Sequence, residues 1–148
     1  MVFLFCAKHS LGPFWESILE AFGIPSRPKC EQKLSNGSLR KHIEKTKQIL
    51  AARKLPQRIM IDCSHGNSGK NYARQKNVIH SICQQKEAGD NAIFGVMLES
   101  HLVEGSQPLS QQQLRYGQSI TDSCIGWEET ETLLATLDAT IRQTIRLS

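Results

Sequence analysis

Two apolar runs stand out along the chain, Ile59-Met60-Ile61 and Ala92-Ile93-Phe94-Gly95-Val96-Met97-Leu98. Neither alternates with polar residues. That is the pattern of strands covered on both faces, as parallel strands in α/β proteins are. Each run stops abruptly at polar residues: Asp62, Ser64, His65, Gly66, Asn67 and Ser68 after the first, Glu99, Ser100 and His101 after the second. Parallel sheets and (β/α) barrels place their chemistry at the carboxyl ends of strands, so these polar clusters are where a site belongs.

The segments around the runs carry helical spacing. Phe14, Ile18 and Phe22 recur every four residues over 13–22, with Pro13 in the first turn and Gly23 and Pro25 as a stop. Residues 40–54 predict a helix with Ile43, Ile49 and Leu50 on its apolar side, ended by Leu55-Pro56. A third helix is expected over 70–86, capped by Asn67 or Ser68 and burying Tyr72, Val78, Ile79, Ile82 and Cys83. The last starts near Glu128, with Leu133, Leu137, Ile141 and Ile145 as an i, i+4 stripe. Its acidic start and basic end suit the helix dipole. Residues 1–7 predict a short strand, 25–38 a polar loop, and 102–127 a long connection of a length that is usually functional or mobile. The order α-β-α-β-loop-α makes the two strands parallel, joined by right-handed βα units. Two parallel strands cannot cover themselves on both faces. The fold class is therefore α/β, and the pattern is that of a part of a larger barrel or sheet.

A chain of 148 residues is long enough for one domain with a core. The formal charge of +4 comes from scattered basic residues interrupted by Glu31 and Glu44. That is a solvated surface; a nucleic-acid footprint would be a denser stripe with interleaved aromatics. The five cysteines form no regular framework and no Cys-x-x-Cys pair. This argues against a disulfide scaffold and a zinc knuckle, and for a reducing compartment. The apolar start over 2–7 is too short to span a membrane and lacks a basic leader, so the expected location is cytoplasmic, with no membrane partner.

Three side chains gather at one end of this architecture: His65 closing the first strand, Glu99 closing the second, and Asp122 in the connection beyond. Neighbouring parallel strands lie about 4.8 Å apart, so the first two can reach one ion. An imidazole with two carboxylates suits Mn²⁺, Fe²⁺, Co²⁺ or Zn²⁺, and such an ion could polarise a carbonyl. The plainer reading is a polar strand-end histidine beside solvated loop carboxylates, with Asp62 its partner or merely paired, and spacing alone leaves both open. Cys63, Cys83 and Cys124 read as small core residues, and Trp127 as a packing anchor. Gly66-Asn67-Ser68-Gly69-Lys70 lacks the spacing of a phosphate-binding loop.

Three longer stretches, taken whole, carry a family likeness. Ile61-Asp62-Cys63-Ser64-His65-Gly66-Asn67-Ser68, then residues 95–105 (Gly-Val-Met-Leu-Glu-Ser-His-Leu-Val-Glu-Gly), then residues 116–127 (Tyr-Gly-Gln-Ser-Ile-Thr-Asp-Ser-Cys-Ile-Gly-Trp) resemble the carboxyl-terminal part of the class I 3-deoxy-D-arabino-heptulosonate 7-phosphate (DAHP) synthases, the phospho-2-dehydro-3-deoxyheptonate aldolases. The resemblance runs from about residue 42 to the end. It implies the C-terminal portion of a (β/α)₈ TIM barrel, incomplete, since a full barrel takes about 250 residues. It implies condensation of phosphoenolpyruvate with erythrose 4-phosphate and water to DAHP and phosphate, the first step of the shikimate route to chorismate and the aromatic amino acids. By motif position it makes His65, Glu99 and Asp122 metal ligands, with Asp122 and His65 catalytic, a divalent metal ion as cofactor, and a homo-oligomeric family. The family's remaining ligand, a cysteine, its Lys-Pro-Arg-Thr motif and its phosphoenolpyruvate-binding Arg and Lys have no counterpart in this sequence. Residues 1–40 are expected to be divergent, without family match, and 41–148 to be the barrel part. The expectation is a truncated gene product whose first forty residues stem from a shifted frame or rearranged start. The alternative is an inactive remnant that folds or acts only with a partner chain.

Overall fold

A computed structural model describes residues 36–110 and 112–146. The strand expected over 1–7 and the helix expected over 13–22 lie outside them. Helix α1, Asn36–Ala52, begins four residues before the sequence pattern places it. It turns Leu39 and Ile43 into the core, whereas Ile49 is exposed and Leu50 half-buried, which corrects the apolar side expected for it. Its end is a Schellman motif. The Leu55 amide donates to the Leu50 carbonyl and the Lys54 amide to that of Ala51, with Lys54 left-handed at φ 56° where glycine is usual. Pro56 then prevents the helix from resuming.

Strand β1, Ile59–Asp62, pairs in parallel with β2, Ile93–Met97. Met60 stands opposite Gly95, Ile61 opposite Val96 and Asp62 opposite Met97. Because side chains alternate across a strand, Ile61 and Val96 share one face. They join Cys63, Leu98, Val78, Ile79 and Ile82 in the core, beneath helices α2, Gln75–Glu87, and α3, Trp127–Arg146. The other face is only partly covered by the described residues: Met60 is 37% exposed, and Gly95 and Met97 are half-buried. The expectation of two covered faces is thus met on one only. An unbroken apolar run needs a second layer to bury its other face, and the described residues supply a single layer of helices.

Between β1 and α2 the chain makes turns over 63–70 and a short 3₁₀ segment, Tyr72–Arg74, capped by the Asn71 side chain. Helix α2 therefore starts later than expected, and Asn67 and Ser68 do not cap it. The Asn67 amide donates instead to the Asp62 carbonyl, and the Ser68 hydroxyl to the Ser64 carbonyl. Both polar side chains are spent on closing the β1 turn.

The long connection is not structureless. It contains β3, Val103–Ser106, and β4, Gln118–Ser119, paired in parallel, and bridges from Ser100 to Ile125 and from Gly105 to Cys124. Gly117, at φ +78°, makes the turn into β4, and a Cβ there would meet Leu102 Cβ at 2.9 Å. The buried Gln107 side chain bonds the Arg115 amide and carbonyl and the Gln118 carbonyl, closing the excursion on itself. In α3 the core positions are Thr130, Leu133, Leu137 and Thr140. Ile141 is half-buried and Ile145 exposed, so the stripe leaves the core at its far end. No helix among the described residues is long and apolar enough to cross a membrane.

Candidate metal centre

The site starts from the turn that ends β1. Asp62 is the last residue of the strand, and its Oδ1 accepts from the backbone amides of Ser64 at 2.8 Å and His65 at 3.2 Å. An aspartate that bonds the amides two and three residues on is a common turn device. Here it folds the chain back so that the His65 ring lies over Asp62. Oδ2 of the same carboxylate meets His65 Nδ1 at 2.7 Å.

The other ring nitrogen faces two further carboxylates. His65 Nε2 lies 3.3 Å from Glu99 Oε1 and 3.6 Å from Asp122 Oδ2. One donor atom each from His65, Glu99 and Asp122 lies within 4.8 Å of the others. The three residues singled out in the sequence are thus brought together, although they come from three different segments. Parallel pairing of β1 with β2 explains the first two. Asp122 arrives through the Ser100–Ile125 bridge, in which the Ile125 amide donates to Glu99 O at 2.9 Å and the His101 amide to Ile125 O at 2.9 Å. The connection is stitched to the residues flanking Glu99, three positions after Asp122.

Burial alone would pull the His65 imidazole down. The charge and hydrogen bond of Asp62, then Glu99 and Asp122, outweigh it and hold the pKa above its ordinary value. Three carboxylates around one imidazole leave an excess of negative charge even when the ring is protonated. With Nδ1 bound to Asp62, the Nε2 position faces only anionic oxygens of this cluster, and a cation there is favoured, whether a proton or a metal. Metal-ligating histidines usually hand their second ring nitrogen to a carboxylate in this way, which fixes tautomer and orientation. The donor set of one imidazole and two carboxylates fits a divalent ion of borderline to hard character.

Among the described residues, no cysteine joins this cluster. Cys63 is fully buried on the opposite, helix-facing side, where burial and the Asp62 charge push its thiol far up. Cys63, Cys83 and Cys124 are all buried thiols, as the core reading has them. Trp127 is exposed at the start of α3, not a packing anchor. The glycine-rich turn after His65 is held by its own backbone, the Lys70 amide donating to His65 O at 2.9 Å, and it does not open a helix.

Two further participants support the site, Ser64 from the polar cluster after β1 and Gln75, which carried no signal in the sequence. Ser64 and the fully buried Gln75 bond each other and the Glu99 backbone. A glutamine at a helix start reads as solvated, and only packing shows otherwise.

Residues 16–135 match the DAHP synthetase I family. The Phe-sensitive phospho-2-dehydro-3-deoxyheptonate aldolase of Escherichia coli K12 is 52% identical over 98 residues, covering 66% of this chain and 28% of its own. The tyrosine-inhibited enzyme of Schizosaccharomyces pombe is 46% identical over 106 residues, covering 68% and 28%. Among solved structures, the phospho-2-dehydro-3-deoxyheptonate aldolase of Francisella tularensis SCHU S4 is similar at a TM-score of 0.67 and 41% identity, over 69% of this chain and 30% of that one. The chain thus spans under a third of the length of these relatives.

Proposed function

The chain belongs to the DAHP synthetase I family, and from that membership together with the geometry we propose that residues 41–148 form the carboxyl-terminal part of a (β/α)₈ barrel serving a 3-deoxy-7-phosphoheptulonate synthase. The substrates are phosphoenolpyruvate and erythrose 4-phosphate, the products DAHP and phosphate, and the setting is cytoplasmic aromatic biosynthesis. The family match begins at residue 16, ahead of the boundary near residue 41 that the sequence motifs suggest. Small molecules are the partners on this reading, with neither nucleic acid nor membrane among them, in a homo-oligomer as in the family.

The observation that carries the proposal is the meeting of His65 Nε2, Glu99 and Asp122 at the carboxyl end of a parallel pair, the place where barrels of this kind keep their chemistry. His65, Glu99 and Asp122 would hold a divalent ion, Mn²⁺, Fe²⁺, Co²⁺ or Zn²⁺. When bound, such an ion supplies Lewis acidity towards an aldehyde oxygen. The chain's own residues do the positioning. Asp62 retains the proton on His65 Nδ1 and leaves Nε2 for ligation. Glu99, largely buried, contributes a carboxylate, and its backbone carbonyl is held by both Gln75 and Ile125. Asp122 is the most exposed of the three donors, so it is the one that incoming aldose can reach. Asp122 and His65 are the catalytic residues of this reading.

A second reading is favoured by the sheet face at Met60 and Met97, which the described residues cover only in part. On it the chain is inactive alone and folds or acts with a partner chain that completes the barrel. Phosphate release from the two substrates by the purified chain, with and without Mn²⁺, separates the two. Turnover by this chain alone supports the enzyme, whereas metal binding without turnover supports the partner-dependent chain. Absence of metal binding sinks the site altogether.

A further inference from the structure

Glu99 lies beyond the end of the β1–β2 ladder. The last paired residues are Asp62 and Met97, followed by the Cys63 amide donating to Met97 O at 2.9 Å. At Glu99 there is no β1 residue left to pair with, yet its backbone is held on that side. Gln75, the first residue of α2, places its amide there. Its Nε2 donates to Glu99 O at 3.1 Å, and its Oε1 accepts from the Glu99 amide at 3.1 Å and from the Ser64 hydroxyl at 3.0 Å. The Ser64 Oγ itself accepts from the Glu99 amide at 2.8 Å. One side-chain amide bonds both backbone groups of one residue, as a residue of an antiparallel neighbouring strand would. The Ile125 amide donates to the same Glu99 carbonyl.

We propose that Gln75, with Ser64, is a positioning residue for the metal centre: it stands in for the missing strand partner of Glu99 and sets that carboxylate against His65. The inference rests on the metal-site reading above. Gln75 has no exposed surface, and an amide buried that completely is costly unless each polar atom is bonded. An apolar side chain would fill the same space without that cost, so the amide's three bonds are what the position uses. Ser64 directly precedes His65 in the chain. The Ser64–Gln75–Glu99 triangle therefore ties the backbones of two donors to one helix start, and a shift of any corner moves Glu99 relative to Nε2. Partners that orient metal ligands in this indirect way usually matter about 10–100-fold in metal affinity.

The test is Co²⁺ titration of the full chain, followed by visible absorption, which reports both affinity and coordination. Gln75→Met keeps the volume and removes all three bonds; Ser64→Ala removes the hydroxyl with little loss of volume and carries the test should the first variant not fold. Both are expected to weaken Co²⁺ binding by about tenfold or more and to alter the absorption bands. In the Gln75→Met background, a further Glu99→Gln change should cost little, because Glu99 is already misplaced, while Asp122→Asn should cost as much as in the parent. Parent-like affinity and spectrum in both variants would overturn the inference. So would an equal loss from Gln75→Met in the Glu99→Gln background, since that is a general structural effect. Parent Co²⁺ binding indifferent to His65→Ala would overturn the metal-site reading, and this inference with it.

Discussion

Replacing Asp62 with asparagine removes a charge and little else. The change is isosteric, and the asparagine oxygen can still accept the Nδ1 proton of His65. The contact is 2.7 Å with side chains 38% and 41% exposed, and at that distance in a water-like medium the attraction between unit charges is about 1.5 kcal/mol. That figure applies to the protonated ring; a divalent ion at Nε2 would carry twice the charge at roughly twice the distance, so with solvent screening Asp62 is worth about 1 kcal/mol to it as well, or about fivefold in metal affinity. The pH dependence gives the effect a signature. Asp62 is the largest of the influences that raise His65, so Asp62→Asn lowers its pKa. A proton and a metal compete for Nε2. In alkaline solution neither form carries the competing proton and the full difference is seen. As pH falls, the parent imidazole takes up its proton first and loses metal first, so the gap between parent and variant narrows. Isothermal titration with Mn²⁺ at several pH values measures this. A variant that binds as tightly as the parent near about pH 8.5, or a gap that widens on acidification, would refute the role given to Asp62.

Other expectations follow from the same geometry. His65→Ala, Glu99→Gln and Asp122→Asn each remove a donor, and each should weaken Mn²⁺ binding by more than Asp62→Asn does, read by the same titration. Ile79 has no exposed surface, so Ile79→Ala should cost about 2–5 kcal/mol in urea unfolding. Gly117→Ala forces a Cβ against Leu102 at φ +78°; a cost of about 1–2 kcal/mol for the left-handed backbone alone is expected, with looser Asp122 and weaker metal binding. Cys63, buried with its thiol pushed up, should resist a disulfide reagent in the native chain and react on unfolding.

The local pattern was enough to place β1, β2 and the buried apolar positions of α2, because apolar runs and i, i+4 spacing are short-range properties that read directly as burial. It also marked His65 and Glu99 as strand-end residues, since parallel strands lie side by side at a known spacing. The distances that bring Asp122 to His65 depend on something else, the bridge from Ser100 to Ile125 across a connection that reads as loop. Bonds between residues far apart in sequence leave no periodic trace. Nor could a pattern tell which faces find cover. Met60 and Ile145 are as apolar as their buried neighbours, and their exposure follows from which layers the described residues bring against them. Gln75 is the sharpest instance. Its side chain has the composition of a solvated helix residue, and its burial against Glu99 exists only because α2 begins where β2 has run out of partners.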